Sequence, residues 1–192
     1  MLKADDVLSL YKRYGAFMEG HFLLSSGLHS RYYLQSALVL QYPSVAEMLC
    51  SSLAEKFLDK NVDVVIAPAV GGIIVAHEVA RRLNVKAIFT ERQNGVFTLR
   101  RGFSIDKGEK VLVVEDVVTT GGSVEEVINL VIEYGGEVVG LGVLVDRSAD
   151  FAPSIPYAYL LKLNIENYEP KDCPLCKEGM PLIKPGSKGL RR

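Results

Sequence analysis

A chain of 192 residues, 48% of them hydrophobic, is long enough for one well-filled domain with a small appendage. Its 22 basic and 23 acidic residues leave a formal charge of -1, so no global field favours nucleic acid as a partner. No apolar run approaches the ~20 residues of a membrane span. The opening "MLKADDVLSLYKRYGAF" has no signal-peptide core, and three cysteines make no disulfide framework. The expected location is therefore cytoplasmic.

In chain order, residues 4–14 carry Val7, Leu8, Leu10 and Tyr11 at helical spacing and predict an amphipathic helix. Residues 21–24 and 31–35 read as short strands joined by the polar turn 25–30. Pro43 starts a helix running to about residue 58. Residues 62–67 form an apolar, β-branched run, hence a buried strand, and 68–72 a turn. A helix over 73–83 ends in Arg81-Arg82, which suits its negative end.

A strand follows at 86–90, then a turn at 93–95 and a strand at 96–103, together a hairpin. Residues 111–114 are a strand, 124–134 a helix ended by Gly135-Gly136, and 138–145 and 157–163 further strands. Alternating strand and helix from 62 to 146 predicts an α/β fold: a central parallel sheet flanked by helices. The chain divides into an N-terminal helix and hood (1–40), an α/β core (41–165) and a C-terminal tail (166–192).

In such a sheet ligands bind at the carboxyl ends of the strands. The turns at 68–72, 91–95, 115–123 and 146–148 all fall there. The most unusual of them lies in "VLVVEDVVTTGGSVEEV". Gly121 and Gly122 let backbone N–H groups approach a ligand. The following helix adds its positive end, and Thr119, Thr120 and Ser123 add hydroxyls, which together favour a phosphate. Neither GxxxxGK[ST] nor GxGxxG is present.

Glu115 and Asp116 would repel a phosphate, so they must face another part of the ligand. Carboxylates accept hydrogen bonds from vicinal hydroxyls and bind the shell of a magnesium ion. A ribose 5-phosphate satisfies both halves, with the acids on the diol and the turn on the 5'-phosphate.

An apolar strand, Glu-Asp, two apolar residues and Thr-Thr-Gly-Gly-Ser closely resembles the phosphoribosyl-pyrophosphate (PRPP) signature of the type I phosphoribosyltransferases. Three further segments, spread over residues 20–148, resemble the members of that family that act on orotate. "GHFLLSSGLHSRYYLQ", with Ser26-Gly27, Ser30 and Tyr32-Tyr33, is similar to their hood. "APAVGGI" is similar to their pyrophosphate turn, and "LVDRS" to their Asp-Arg segment.

The resemblance implies that PRPP is held by Glu115, Asp116, Val117, Val118, Thr119, Thr120, Gly121, Gly122 and Ser123, with Val70 and Gly71 on the pyrophosphate. It places orotate against Arg147, Thr119 and the backbone of Tyr33 and Leu34. Asp116 is the central catalytic carboxylate with Glu115 beside it, and neither is a covalent nucleophile. Magnesium enters mainly through PRPP, and the assembly is a homodimer. The implied reaction is transfer of ribose 5-phosphate to N1 of orotate, with no nucleic-acid or membrane partner.

The chain departs from the family pattern at three places. Many bacterial members carry a lysine before the hood Ser-Gly, where this chain has Ser25. Many carry another in the pyrophosphate turn, where it has Gly71. A long Lys-rich loop with a His corresponds here to residues 90–110, which have Arg92, Arg100, Arg101 and Lys107 but no His. Arg92 and the Arg100-Arg101 pair are candidates to supply the missing cations. Two alternatives stay open: another base, which the hood argues against, or a PRPP-sensing regulator, which the near-neutral charge and lack of room for a second domain argue against.

"CPLCKEG", residues 173–179, is a CxxC with no second pair. A zinc site needs four ligands, and His21, His29 and His77 lie far off in sequence. The expectation is a tail turn held by Pro174 rather than an intrachain metal site. Cys50 is expected in the core, and the Gly/Pro-rich basic tail beyond residue 183 to be loosely ordered.

Overall fold

The structure, a computed structural model, describes residues 2–24 and 26–185. Ser25 and the Gly-Ser of the basic tail lie outside these residues. Helix α1 (Ala4–Arg13) leads into strands β1 (Phe17–Leu23) and β2 (His29–Leu34), then α2 (Ala37–Leu40) and α3 (Pro43–Ala54). The helix predicted to reach residue 58 stops at Ala54 and tightens into a 3-10 turn over Glu55–Lys60, which seats Phe57 in the core.

The α/β unit then runs β3 (Val64–Pro68), α4 (Gly72–Leu83), β4 (Lys86–Gln93), β5 (Val96–Leu99), β6 (Lys110–Val118), α5 (Gly122–Glu133), β7 (Glu137–Asp146) and β8 (Tyr157–Lys162). A two-residue strand β9 (Asn167–Tyr168) and a short helix α6 (Pro174–Lys177) complete the described chain.

The larger sheet has the order β5-β4-β3-β6-β7-β8. Five of its strands are parallel, and β5 is an antiparallel edge. The predicted hairpin is present, but its second strand ends at Leu99 rather than residue 103.

Side chains alternate across the sheet because successive strand residues point to opposite faces. Val65, Ala67, Leu112, Val114 and Leu144 pack under α1, α3 and α4. Val64, Ile66, Val111, Val113, Leu141 and Val143 pack under α5 and the β4–β5 hairpin. These strands are buried on both faces, which is why they read as unbroken apolar runs. Cys50 lies in the first of these clusters.

The smaller sheet, β1-β2-β9, joins the amino-terminal hood to a strand of the tail. β2 pairs with β1 along its length and with β9 at His29 and Ser30. The tail continues along the other edge of β1. Ile183 N donates to His21 O, and Leu23 N donates to Ile183 O, both at 2.8 Å.

This wrapping overturns the expectation that the CxxC lacks partners. His21 and His29 both lie against Cys173 and Cys176, and the ligand atoms of all four fall within 4.8 Å of one another. Sheet pairing between the two ends of the chain brings them together, and sequence distance gave no sign of it. His77 stays apart, exposed beside Glu78.

Candidate active site

Chain order reverses at β3: the next strand, β4, lies on one side and β6 on the other. Ligands of doubly wound sheets bind in the crevice at such a switch point, outside the strands' carboxyl ends. Here the crevice lies between the turn after β3, Ala69 to Gly72, and the end of β6.

The two acids are not in the turn, where residues 115–123 were expected. β6 continues through Glu115 and Asp116 to Val118, because pairing with β7 extends from Lys110 to Val118. The strand's alternation then separates the neighbours. Glu115 is buried, and its Oε1 accepts a hydrogen bond from Asp116 N at 3.0 Å. Burial, reinforced by the adjacent Asp116 charge, pushes the Glu115 carboxyl well above the usual glutamate range. Asp116 is partly exposed and faces the turn after β3.

That turn is shaped by close approach. A Cβ on Gly71 would sit 2.6 Å from Asp116 Oδ1, and one on Gly72 would sit 3.0 Å from Glu115 Oε1. Glycine at residue 71 therefore lets this turn press directly onto the acid. The Ala69–Val70 peptide is cis, and Val70 is fully presented to solvent.

Past β6, Glu115 and residues 117–124 line a concavity. Thr119, Thr120, Gly122 and Ser123 are exposed to it. Gly121 caps α5 with φ +87°, and a Cβ there would lie 2.2 Å from the Phe151 ring. Only glycine meets both demands. The first turn of α5 directs N–H groups without intrahelical partners, and the positive end of the helix, into this concavity. It is an anion cradle.

Arg147 follows β7, the strand beside β6. Its backbone N donates to Val118 O at 2.9 Å, which sets it beside Thr119. The residue is 7% exposed. Nη2 donates to Asn167 Oδ1 at 3.1 Å and more weakly to Ser30 Oγ at 3.5 Å, while the buried Nε has no protein partner. No carboxylate among the described residues pairs with it.

Asp146, its neighbour in the chain, is taken by others. Asp146 accepts from Lys162 Nζ at 2.9 Å and from the Ser148 N–H and hydroxyl at 2.8 and 2.6 Å. Burial raises the Asp146 carboxyl, but these hydrogen bonds outweigh it and hold it below the usual range. Burial also lowers the Arg147 pKa, the direction expected of a cation held without a counter-charge. A cleft lined by Arg147, Ser148, Ala149, Asn164, Ile165 and Glu166 opens here.

Tyr33 lies close enough to Arg147 to act on its charge. Among the described residues β9 covers β2 only at His29 and Ser30, so the edge of β2 from Arg31 to Leu34 has no strand partner there. Leu34 is itself in the core. Arg92 lies farther out on β4, where its guanidinium stacks on Phe97 at 4.0 Å and forms a forked pair with Glu126 on α5. Arg101 pairs with Glu91.

Asn167, Lys162 and Phe151 escaped the sequence reading. Each acts on a residue sixteen or more positions away and carries no local motif.

Fold and site together define the phosphoribosyltransferase class: a doubly wound sheet with an anion cradle and two carboxylates at its switch point. The family described as "Phosphoribosyl transferase domain" matches residues 41–175. The orotate phosphoribosyltransferase of Caldicellulosiruptor bescii is 55% identical over 188 residues, covering 97% of this chain and 99% of that protein. That of Caldicellulosiruptor saccharolyticus is 56% identical over 191 residues, covering 99% and 100%. The crystal structure of the Aeropyrum pernix orotate phosphoribosyltransferase superposes with a TM-score of 0.70 at 26% identity, covering 82% of this chain and 93% of that one. The chain belongs to the orotate phosphoribosyltransferase family.

Proposed function

We propose that the protein transfers ribose 5-phosphate from PRPP to N1 of orotate, giving orotidine 5'-monophosphate and pyrophosphate in pyrimidine synthesis. The observation that carries this reading is Arg147: a buried arginine with an unpartnered Nε and, among the described residues, no carboxylate partner, one strand from the phosphate cradle. A buried cation of this kind calls for an anionic, planar ligand able to take two hydrogen bonds. The orotate carboxylate fits, and neutral bases do not.

In this reading residues 119–123 grip the 5'-phosphate, and Val70 and Gly71 receive the pyrophosphate. Asp116 accepts hydrogen bonds from the ribose hydroxyls. Orotate lies between Arg147, Thr119 and the open backbone edge at Tyr33 and Leu34. The C1'–oxygen bond to pyrophosphate breaks with its electron pair leaving on that oxygen. The N1 lone pair forms the new bond to C1', and the N1 proton goes to solvent. Positive charge grows on the ribose ring in between, a charge that a carboxylate such as Asp116 stabilises. Glu115, its carboxyl raised by burial, lies beside Asp116 and accepts from the Asp116 N–H, which holds it in place under that acid. Positioning of both substrates supplies the remainder of the rate.

Magnesium suits this donor set. The ion prefers one or two carboxylates together with substrate phosphates and water, and Asp116 is a partly exposed acid at the switch point beside the cradle. When bound it neutralises the leaving pyrophosphate. The reading carries with it a cytoplasmic homodimer built from an N-terminal hood over a PRPP-binding core.

The test is loss of orotate absorbance with PRPP and Mg2+, run in parallel with uracil, adenine and hypoxanthine. Turnover of orotate alone, abolished by EDTA, is expected. Turnover of a neutral base in its place would reassign the substrate. Tight PRPP binding with no turnover of any base would make the protein a sensor. Sedimentation of the purified chain tests the dimer.

A further inference from the structure

We propose that His21, His29, Cys173 and Cys176 form a tetrahedral zinc site that staples the hood to the C-terminal segment. The four come from three pieces of chain: β1, β2 and the start of α6. His21 Nε2 lies 3.5 Å from Cys173 Sγ and 3.7 Å from Cys176 Sγ. His29 Nδ1 lies 3.3 Å from Cys176 Sγ, and the two nitrogens are 2.9 Å apart.

A zinc ion bonded to sulfur at about 2.3 Å and to nitrogen at about 2.05 Å spaces its tetrahedral ligands about 3.3 Å (N···N), about 3.6 Å (N···S) and about 3.8 Å (S···S) apart. The three N···S contacts lie within about 0.3 Å of that edge, the two nitrogens need to separate by a few tenths of an ångström, and all four ligand atoms fall within 4.8 Å of one another.

The surroundings suit a metal better than a thiol pair. His21 Nδ1 donates to Met180 O at 2.9 Å, which fixes the tautomer and turns the lone pair of Nε2 toward the sulfurs. A bulge in β1 between Glu19 and Phe22 breaks the register beside this histidine. His21, His29 and Cys173 are buried, and Cys176 is exposed, which gives an ion a way in. A Cys173–Cys176 disulfide would need neither imidazole. Two thiolates and two imidazoles with no oxygen donor select zinc over magnesium or calcium, and four protein ligands close the shell as in structural sites.

The fold supplies a reason for the staple. β1 and β2 form a hairpin, and a two-stranded hairpin is marginal in water without something to brace it. The tail braces it on both edges, through β9 against β2 and Ile183 against β1. The metal site lies between those two contacts. Ser30, the neighbour of His29, and Asn167 of β9 are the residues that hold Arg147. If the proposed function holds, zinc therefore also positions the orotate end of the active site.

The experiment uses the untagged full chain, purified reduced and without chelator. Elemental analysis is expected to find one zinc per chain. Exchange into Co2+ is expected to give the intense visible bands of a tetrahedral ion and near-ultraviolet thiolate charge transfer. Cys176→Ser and His29→Asn are expected to lose the metal, and chelation to lower Tm by more than about 5 °C. Loss of zinc should raise KM for orotate several-fold more than KM for PRPP. A wild-type chain that binds neither ion when reduced, or takes up Co2+ without thiolate charge transfer, overturns the proposal, and this reading needs no variant to fold. Metal content and spectrum are read without turnover, so an inactive enzyme holding zinc would sink the functional reading and leave this one standing.

Discussion

The phosphate edge of the large sheet and the hood above it are built in opposite ways. The edge comes from one continuous run, β6, its turn and the first turn of α5, and its geometry is set by the parallel ladder beneath. The hood draws on β1, β2, β9, Cys173, Cys176 and Ile183, pieces from both ends of the chain. The edge is preorganised wherever the core is folded. The hood exists only when distant segments have closed on one another. PRPP recognition should therefore survive damage to the hood, and recognition of the base should not.

Arg147 sits on the seam and should show the largest effect. Arg147→Ala removes a buried charge-assisted contact, worth about 2–5 kcal/mol, so kcat/KM for orotate should fall by about 30-fold or more. PRPP affinity by calorimetry should barely change; an equal loss in both would place Arg147 in the cradle instead.

Gly121→Ala attacks the edge. Positive φ and overlap with Phe151 together should cost about 2–4 kcal/mol and weaken PRPP binding, as thermal melting with and without PRPP would show. Retention of wild-type stability and affinity would mean the turn is not preorganised. Asn167→Ala removes the best partner of Arg147 from the hood side, and KM for orotate should rise about tenfold at constant KM for PRPP. A change in the PRPP term alone would break the proposed division.

Glu115→Gln sharpens the edge further. The folded protein keeps a proton on Glu115 that the unfolded chain releases. In acid, below the unfolded value, both states are protonated and the variant should melt like the wild type. As pH rises past that value the wild type is progressively destabilised, until the raised folded value is passed. The variant should therefore melt higher at neutral and mildly alkaline pH, and a difference of opposite sign would show that Glu115 is ionised when folded. Arg92→Ala should have the smallest effect. Its exposed pair with Glu126 is worth about 0.5 kcal/mol to the fold, while KM for PRPP should rise about threefold to tenfold if Arg92 turns to the pyrophosphate. An unchanged PRPP affinity removes it from the site.

Much of the edge was legible because its chemistry is contiguous. Strand, acids, hydroxyls, glycines and helix start lie in one stretch, and the run of valines and leucines marks a strand buried on both faces. The end of that strand was not legible. Glu115 and Asp116 look like turn residues by composition, but cross-strand pairing with Val143 to Asp146 holds them in the ladder. The hairpin at residues 93–95 was readable from its turn residues, and its length was not, because the pairing that ends at Leu99 is set by β4.

The hood's motif was visible at Ser26-Gly27 and Tyr32-Tyr33, yet its closure was invisible. A CxxC offers two ligands, and nothing near it in the chain announces His21 and His29. Likewise nothing near Arg147 in the chain shows that Lys162 occupies the adjacent acid, Asp146.

The sequence by itself determined the class of fold, the cradle and the acids beside it, because those rest on periodicity and on residues adjacent along one chain. Only the tertiary structure decided that Arg147 is buried without a counter-charge among the described residues and that His21, His29, Cys173 and Cys176 converge. Both depend on which remote segments pair, and long-range pairing is fixed by the whole packed core rather than by any local run.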